Sequence, residues 1–204
     1  MDDYIPAGEQ NVEGGRTRAI DTKVLGALLV DIVDVLDKHN VRYVLLFGTM
    51  LGAVRDNAII PWDDDGDLAV FNSDRDAFWN KVVPDLKAVG CNVPPEGDPN
   101  KPISEDNAPW YDAYAFRGGE KVDFWFFDRV DNTYCYDVAR SGNTCVFEAH
   151  FFDNLRAIDF LNRKCNVPVK SEEWLYSVYG PDWQTPIKPG EPCRGHNKGA
   201  QGRF

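Results

Sequence analysis

Residues 45–71 of this 204-residue chain read LLFGTMLGAVRDNAIIPWDDDGDLAVF. The second half of the stretch places four aspartates between Trp62 and the apolar run Leu68–Val70: Asp63, Asp64, Asp65 and Asp67. Acidic clusters normally lie in polar, exposed sequence, whereas this one leads into a strand that we expect to be buried. Buried carboxylates need a partner that offsets their charge.

Strand alternation divides these acids between two faces. Side chains of a strand alternate, so Asp63, Asp65 and Asp67 should share one face, while Asp64 points away. Alternate positions lie roughly 7 Å apart, close enough for two carboxylates to hold common ions. Hard oxygen ligands favour Mg²⁺, and two such ions can serve both the attacking and the leaving oxygen of phosphoryl transfer. Asp123, the one acid within the apolar segment 121–127 (KVDFWFF), is the expected third ligand.

Gly48 and Thr49 suggest where a phosphate binds. A glycine between a buried strand and a helix lets backbone N–H groups approach a phosphate, and the helix N-terminus favours its charge. Thr49 offers a hydroxyl, and the planar guanidinium of Arg55 can reach a phosphate from the same helix. The alternatives are a solvated acidic turn, an edge-strand Asp123, a turn glycine at Gly48 and an exposed helix charge at Arg55.

The flanking sequence predicts a mixed α+β domain. Apolar spacing predicts a helix over 22–39, capped by Asp21, and a central buried strand over 41–47. A short helix over 50–55 follows, then the acidic strand and a helix from Ser73 and Asp74 to about Lys87, kinked or ended by Pro84. Beyond a proline-rich loop at 92–109, the predicted elements are three extended segments, a hairpin and a last helix: 111–116, 121–129, 133–138, a turn at Asn162–Arg163, and 171–180, capped by Ser171.

These elements make a small mixed sheet flanked by helices, in one catalytic domain spanning residues 21–190. Residues 1–20 are predicted to be a flexible lead-in and residues 191–204 a polar tail.

The composition and charge of the chain limit the partners and the location that we expect for it. A net charge of −11 weighs against a nucleic-acid partner, which needs a basic surface. No apolar run is long enough to span a membrane, and the first residues do not resemble a signal peptide, so the chain as it begins here predicts a cytoplasmic protein. The five cysteines are expected to be reduced thiols; a disulfide between Cys135 and Cys145, or a zinc site with His150 or His196, remains open.

The central motif resembles that of the LicD/fukutin phosphotransferases, which have the nucleotidyltransferase fold. Their pattern, G-T-x-L-G-x-x-R followed by I-P-W-D-x-D-x-D, is matched from Gly48 to Asp67. The segment VDFWFF is similar to the strand that bears the third metal carboxylate of the family, and residues 165–186 (CNVPVKSEEWLYSVYGPDWQTP) are similar to its closing segment. The resemblance covers about residues 20–187.

The resemblance implies transfer of a phospho-alcohol, such as phosphocholine or ribitol phosphate, from a CDP-linked donor to a carbohydrate or glycoconjugate hydroxyl. It implies Asp65, Asp67 and Asp123 as catalytic ligands of two Mg²⁺ or Mn²⁺ ions, with Asp63 in support. It also implies that Gly48, Thr49 and Arg55 bind the donor diphosphate. Asp123, or a water, would accept the hydroxyl proton.

Gly66 departs from the family pattern, which usually has an apolar residue there. Glycine loosens a strand, which predicts a less secure metal geometry. Two other functions stay open: a nucleotidyltransferase that places NMP on a protein or small molecule, and a non-catalytic binding module of the same fold.

Overall fold

The structure, a computed structural model, describes residues 20–94, 113–137 and 144–187. Most of the predicted loop at 92–109, nearly all of the predicted lead-in and the whole predicted tail lie outside these residues.

The described elements alternate between helices and strands before a strand-rich second half. In chain order they are α1 (Thr22–Lys38), β1 (Tyr43–Leu45), α2 (Phe47–Arg55), β2 (Gly66–Phe71), α3 (Arg75–Ala77), α4 (Val83–Ala88), β3 (Ala113–Arg117), β4 (Glu120–Val130), β5 (Thr133–Asp137), β6 (Thr144–Glu148), α5 (Ala149–Phe152), β7 (Leu155–Phe160), β8 (Arg163–Pro168) and α6 (Ser171–Tyr179). A 3₁₀ turn (Asn72–Asp74) precedes α3, and a π-helical stretch (Phe78–Val82) joins α3 to α4.

Six strands form one mixed sheet, as predicted. Its order is β1-β2-β4-β5-β6, and β3 also pairs with β4. The β2–β4 pair is parallel and the other pairs are antiparallel. Strands β7 and β8 form a separate hairpin. The parallel pair matters most for function, because it brings the acidic motif beside β4.

Helix α1 forms as the sequence predicts. The Asp21 carboxylate accepts hydrogen bonds from the N–H groups of Lys23 and Val24, which caps the helix. The apolar stripe of α1 is buried: Leu25, Leu28, Leu29, Ile32, Val33, Val35 and Leu36. Part of this stripe lies over Gly66, so that a Cβ there would meet Val122 at 3.1 Å and Leu25 and Leu29 at 3.4 Å. The missing side chain thus makes room for α1.

Several local predictions were wrong. Strand β1 is at an edge of the sheet, although it is buried, and the helix after it already begins at Phe47. Pro84 does not end the helical run, which reaches Ala88; a π-helical stretch lies directly before α4, Pro84 falls in the first turn of α4, and a kink there stays a prediction. The hairpin turn falls at Leu161 and Asn162, both with positive φ.

Two capping predictions were also wrong. Ser171 is already inside α6, and its hydroxyl oxygen accepts a hydrogen bond from Arg156. The Asp74 carboxylate makes no capping bond and instead accepts the N–H of Arg42. Cys135 has a free thiol, which removes the predicted possibility of a disulfide with Cys145. Within the described residues, no helix combines the length and apolar character needed to cross a membrane.

Candidate active site

The parallel pairing of β2 with β4 places two acids side by side. Asp67 pairs with Asp123 in register, so their side chains emerge from the same face of the sheet. Both are nearly inaccessible to solvent, with 8% of Asp67 and 2% of Asp123 exposed. Asp65 comes just before β2, and its carboxylate completes a cluster in which one oxygen from each acid lies within 4.8 Å of the others. This confirms the predicted proximity of Asp65, Asp67 and Asp123.

The remaining acids of the motif lie outside this cluster. Strand β2 begins only at Gly66, so Asp63 and Asp64 belong to the segment that leads into it. Together with Asp65 they make a second, more exposed carboxylate group. Asp64 is exposed, as predicted, and its N–H donates to the Asp63 carboxylate.

Three hydrogen bonds hold Asp67 in place. The indole N–H of Trp125 donates to Asp67 Oδ1 at 2.9 Å, and the backbone N–H of Asp67 donates to Thr49 Oγ1 at 2.9 Å. The Asp67 carbonyl accepts from the N–H of Leu46 at 3.0 Å. These contacts fasten the start of β2 to the start of α2. The hydroxyl oxygen of Thr49 therefore has an observed structural partner, and its role toward a phosphate stays a prediction.

Lys121 holds Asp123. Its ammonium lies 2.7 Å from Asp123 Oδ2 and 3.1 Å from Asp65 Oδ2, so it bridges two of the three clustered acids. The other oxygen of Asp123, Oδ1, is buried and has no hydrogen-bond partner among the described residues. An unpartnered buried carboxylate oxygen is costly, and it is the donor atom that a hard divalent cation prefers. The residues present fit the predicted metal.

Burial and mutual repulsion make these acids resist ionisation. Burial raises the pKa of Asp67 well above its ordinary value, and Asp65 and Asp123 raise it further. Burial also raises the pKa of Asp123, although the positive charge of Lys121 opposes the change. The pKa of Asp63 is raised to about 7 by burial and by the charges of Asp65 and Asp64. A bound divalent cation would favour the charged form of all three groups.

Asp63 occupies the space beside Gly48. A Cβ added at Gly48 would lie 2.0 Å from Asp63 Oδ2, so no larger residue fits there while Asp63 stays in place. The carboxylate of Asp63 thus occupies the space that a side chain at position 48 would need, so this position requires glycine. Its predicted approach to a donor phosphate stays a prediction.

Arg55 has a partner of its own. Its guanidinium binds the neighbouring Asp56, with the shortest contact at 2.7 Å, and 7% of its side chain is exposed. Tyr179 connects this helix end to the acids electrostatically: burial, then Asp63 and Asp67, raise the pKa of the Tyr179 phenol, and Arg55 opposes them. The phosphate contact of Arg55 stays a prediction.

Three residues of the site were missed as functional candidates: Lys121, Trp125 and Tyr179. Lys121 and Trp125 flank Asp123 at alternate positions of KVDFW, so strand periodicity alone put all three on one face. Trp125 contacts the Phe47 ring at 5.3 Å between centroids, and its indole N–H also orients Asp67. Tyr179 lay in the recognised closing segment without an assigned role.

Comparison with known proteins confirms the family resemblance that the sequence predicts. The sequence model of the LicD/FKTN/FKRP nucleotidyltransferase domain matches residues 40–170. The ribitol 5-phosphate transferases FKRP of Mus musculus and Homo sapiens are each 30% identical over 161 residues, covering 74% of this chain and 30% of theirs. An uncharacterised protein of Rickettsia typhi is 32% identical over 90 residues, which are 44% of this chain and 29% of that protein. The chain thus spans about a third of the length of these curated relatives.

Two solved structures are similar at low identity. ANT(2")-Ia in complex with adenylyl-2"-tobramycin has a TM-score of 0.47 and 18% identity, covering 76% of this chain and 75% of its own. The lincosamide antibiotic adenylyltransferase LnuA, with lincomycin bound, has a TM-score of 0.47 and 15% identity, covering 74% of this chain and 84% of its own.

Proposed function

The chain belongs to the LicD/FKTN/FKRP family of nucleotidyltransferase domains, and we propose that it transfers a phospho-alcohol from a CDP-linked donor to a carbohydrate hydroxyl. The observation that carries this proposal is the cluster of Asp65, Asp67 and Asp123, in which a buried oxygen of Asp123 has no hydrogen-bond partner in the described parts of the chain. The name of the FKRP relatives, ribitol 5-phosphate transferase, supports the choice of a phospho-alcohol as the transferred group.

The proposed reaction exchanges one phosphorus–oxygen bond for another. The acceptor hydroxyl oxygen forms a bond to the phosphorus that carries the alcohol, and the bond from this phosphorus to the bridging oxygen breaks. CMP leaves with the bridging oxygen and the electron pair of the broken bond. Asp123, or a water beside it, takes the hydroxyl proton.

The other side chains of the site bind and orient. Asp65, Asp67 and Asp123 would hold Mg²⁺ or Mn²⁺, with Asp63 beside them. When bound, these ions supply positive charge that neutralises the diphosphate and the departing CMP and acidifies the attacking hydroxyl. Gly48 and Thr49 present the N-terminus of α2 to the diphosphate, and Arg55 exchanges its contact with Asp56 for a phosphate oxygen.

Product identification tests the proposal. The protein, Mn²⁺ or Mg²⁺, a panel of CDP-choline, CDP-ribitol and CDP-glycerol, and candidate oligosaccharides would be incubated and the products weighed by mass spectrometry. We expect release of CMP and an acceptor whose mass rises by one phospho-alcohol. An acceptor that gains a nucleoside monophosphate would replace the proposal with nucleotidyl transfer.

Matched variants assign the chemistry to the cluster. Asp65→Asn or Asp67→Asn should lower turnover by roughly a hundredfold or more, because each removes charge that the metal needs. Asp64→Asn, one position from Asp65 but exposed, should retain most activity. A fully active Asp65→Asn/Asp67→Asn double variant contradicts the mechanism. Absence of both turnover and metal binding in the wild type would favour a non-catalytic binding module.

A further inference from the structure

Lys121 lies inside the acidic cluster rather than at its rim. Its ammonium is 2.7 Å from Asp123 Oδ2 and 3.1 Å from Asp65 Oδ2, and only 31% of its side chain is exposed. The two acids it joins come from different parts of the fold, since Asp65 leads into β2 and Asp123 lies within β4. The lysine therefore draws together two of the three predicted metal ligands.

Strand geometry directs Lys121 to this position. Lys121 and Asp123 are two residues apart on β4 and emerge from the same face. At the next position on this face, Trp125 donates a hydrogen bond to Asp67, much as Lys121 forms ion pairs with Asp123 and Asp65. One strand thus supplies a ligand and, on either side of it, the two residues that hold the ligands.

The charges of the cluster show how much of its negative charge Lys121 neutralises. Three ionised carboxylates and one ammonium carry a net charge of −2, which a single divalent cation would neutralise. A cation held by these carboxylates, even through the unpartnered Oδ1 of Asp123, would however lie close to the ammonium, where like charges repel strongly in a partly buried site. Lys121 and a divalent cation therefore compete for Asp65 and Asp123.

We propose that Lys121 is a resident counterion which a divalent cation displaces from Asp65 and Asp123, and that its displaced ammonium binds a phosphate of the donor. The contact between Lys121 and a phosphate rests on the proposed function, because it needs an anionic donor in the site. The exchange makes metal and donor binding mutually favourable: the metal releases the ammonium that binds the donor, and the donor holds that ammonium away from the metal.

Metal titration tests the displacement without any donor. Mn²⁺ binding by titration calorimetry would compare the wild type, Lys121→Met and the control Lys164→Met, whose lysine pairs with Asp159 on an exposed hairpin. We expect Lys121→Met to bind Mn²⁺ roughly tenfold more tightly or better, because the competing charge is gone, and Lys164→Met to match the wild type. Equal or weaker Mn²⁺ binding by Lys121→Met overturns the proposal.

CDP binding at saturating Mn²⁺ tests the proposed contact between Lys121 and a donor phosphate. The displaced ammonium should contribute about tenfold to CDP affinity in the wild type, and Lys121→Met should lose it. Unchanged CDP affinity in that variant overturns the phosphate contact. Failure of every CDP-alcohol to react would count against the proposed function only, since the Mn²⁺ titration contains no nucleotide.

Folding of the variants is checked by melting curves. If Lys121→Met is unfolded without metal, Lys121→Gln, which keeps a hydrogen-bond donor without the charge, should show the same change in Mn²⁺ affinity. If both are unfolded, refolding on addition of Mn²⁺ supports the exchange of one cation for another, and failure to refold contradicts it.

Discussion

At the scale of single residues, the site depends on side chains that orient its acids. Trp125 lies 58 positions from Asp67 in the chain and donates to one of its carboxylate oxygens at 2.9 Å. The bond leaves the rest of that carboxylate to face Asp65 and Asp123. An aromatic side chain of the buried core is thus also part of the predicted metal site.

Trp125→Phe should weaken metal binding while keeping most of the packing. Phenylalanine retains a ring against Phe47 but has no N–H, so Asp67 loses its orienting donor. Partners that orient metal ligands typically contribute about 10- to 100-fold to affinity, and we expect a loss of that size for Mn²⁺ by calorimetry. Trp79→Phe is the matched control, because the Trp79 N–H is buried without a partner among the described residues. Equal Mn²⁺ affinity in the two variants would show that Trp125 only packs.

Asp63 makes stability depend on pH when no divalent metal is present. Its pKa is raised to about 7 in the folded protein, against 3.8 as the reference for the unfolded chain. Between these values the folded state binds more protons, so stability falls as pH rises from about 4 to about 7. A displacement of this size corresponds to at most roughly 4 kcal/mol.

Asp63→Asn should remove much of this dependence and be more stable than the wild type at pH 8. Asparagine keeps an oxygen for the N–H of Asp64 but carries no charge. Urea unfolding between pH 5 and 8 in the presence of a chelator measures the effect. Asp76→Asn, at an exposed acid, should retain the slope of the wild type; an unchanged slope in Asp63→Asn would contradict the role given to Asp63.

At the scale of elements, Gly66 connects the packing of α1 to the geometry of the acids. The sequence predicts that this glycine loosens β2, which stays a prediction, and the structure shows Gly66 buried beneath Leu25 and Leu29. It stands between Asp65 and Asp67, so any shift needed to admit a side chain would move both carboxylates. Its role is close contact between helix and strand.

Gly66→Leu should destabilise the fold by about 1–3 kcal/mol, because a side chain has no space between β2 and α1. It should also weaken Mn²⁺ binding, since the acids on either side are displaced. Ala27→Leu introduces the same side chain at an exposed position of α1 and should change the free energy of unfolding by less than about 0.5 kcal/mol. Urea unfolding and calorimetry measure both effects; a Gly66→Leu variant as stable as wild type would refute the packing role.

At the scale of the whole molecule, charge decides the order of binding. The chain has a net charge of −11, and the candidate site adds a local concentration of carboxylates. A diphosphate donor approaching without cations meets repulsion from both. We therefore expect the donor to bind the metal-loaded protein and to bind the metal-free protein poorly.

Thermal unfolding should show this dependence. A CDP-alcohol at a hundred times its dissociation constant, with Mg²⁺ or Mn²⁺, should stabilise the protein by roughly 2.7 kcal/mol, whereas the same donor with a chelator should give no shift in Tm. Asp123→Asn should abolish the metal-dependent shift, because it removes the charge of the most buried acid of the cluster. A full shift in the presence of chelator would exclude metal-assisted donor binding.

The sequence by itself determined the chemistry of the site and most of the elements. Asp65, Asp67 and Asp123 were recognisable because apolar residues surround acids, and Asp21 was recognisable as a cap because capping is a local interaction. Helix α1 and strand β4 follow from periodicities that are present within each segment. Each of these inferences needs only near neighbours in the chain.

Only the tertiary structure decided how these parts meet. The register that sets Asp67 opposite Asp123, the Trp125 donor on Asp67 and the Lys121 bridge to Asp65 all join distant segments. Tertiary packing also decides how Asp63 fills the space beside Gly48 and why β1 lies at an edge of the sheet. Register and side-chain partners depend on how the whole core packs, because a strand of the same local sequence can pair on either side and in either direction. The sequence therefore identifies the predicted metal ligands, and the packing of β2, β4 and α1 decides their arrangement.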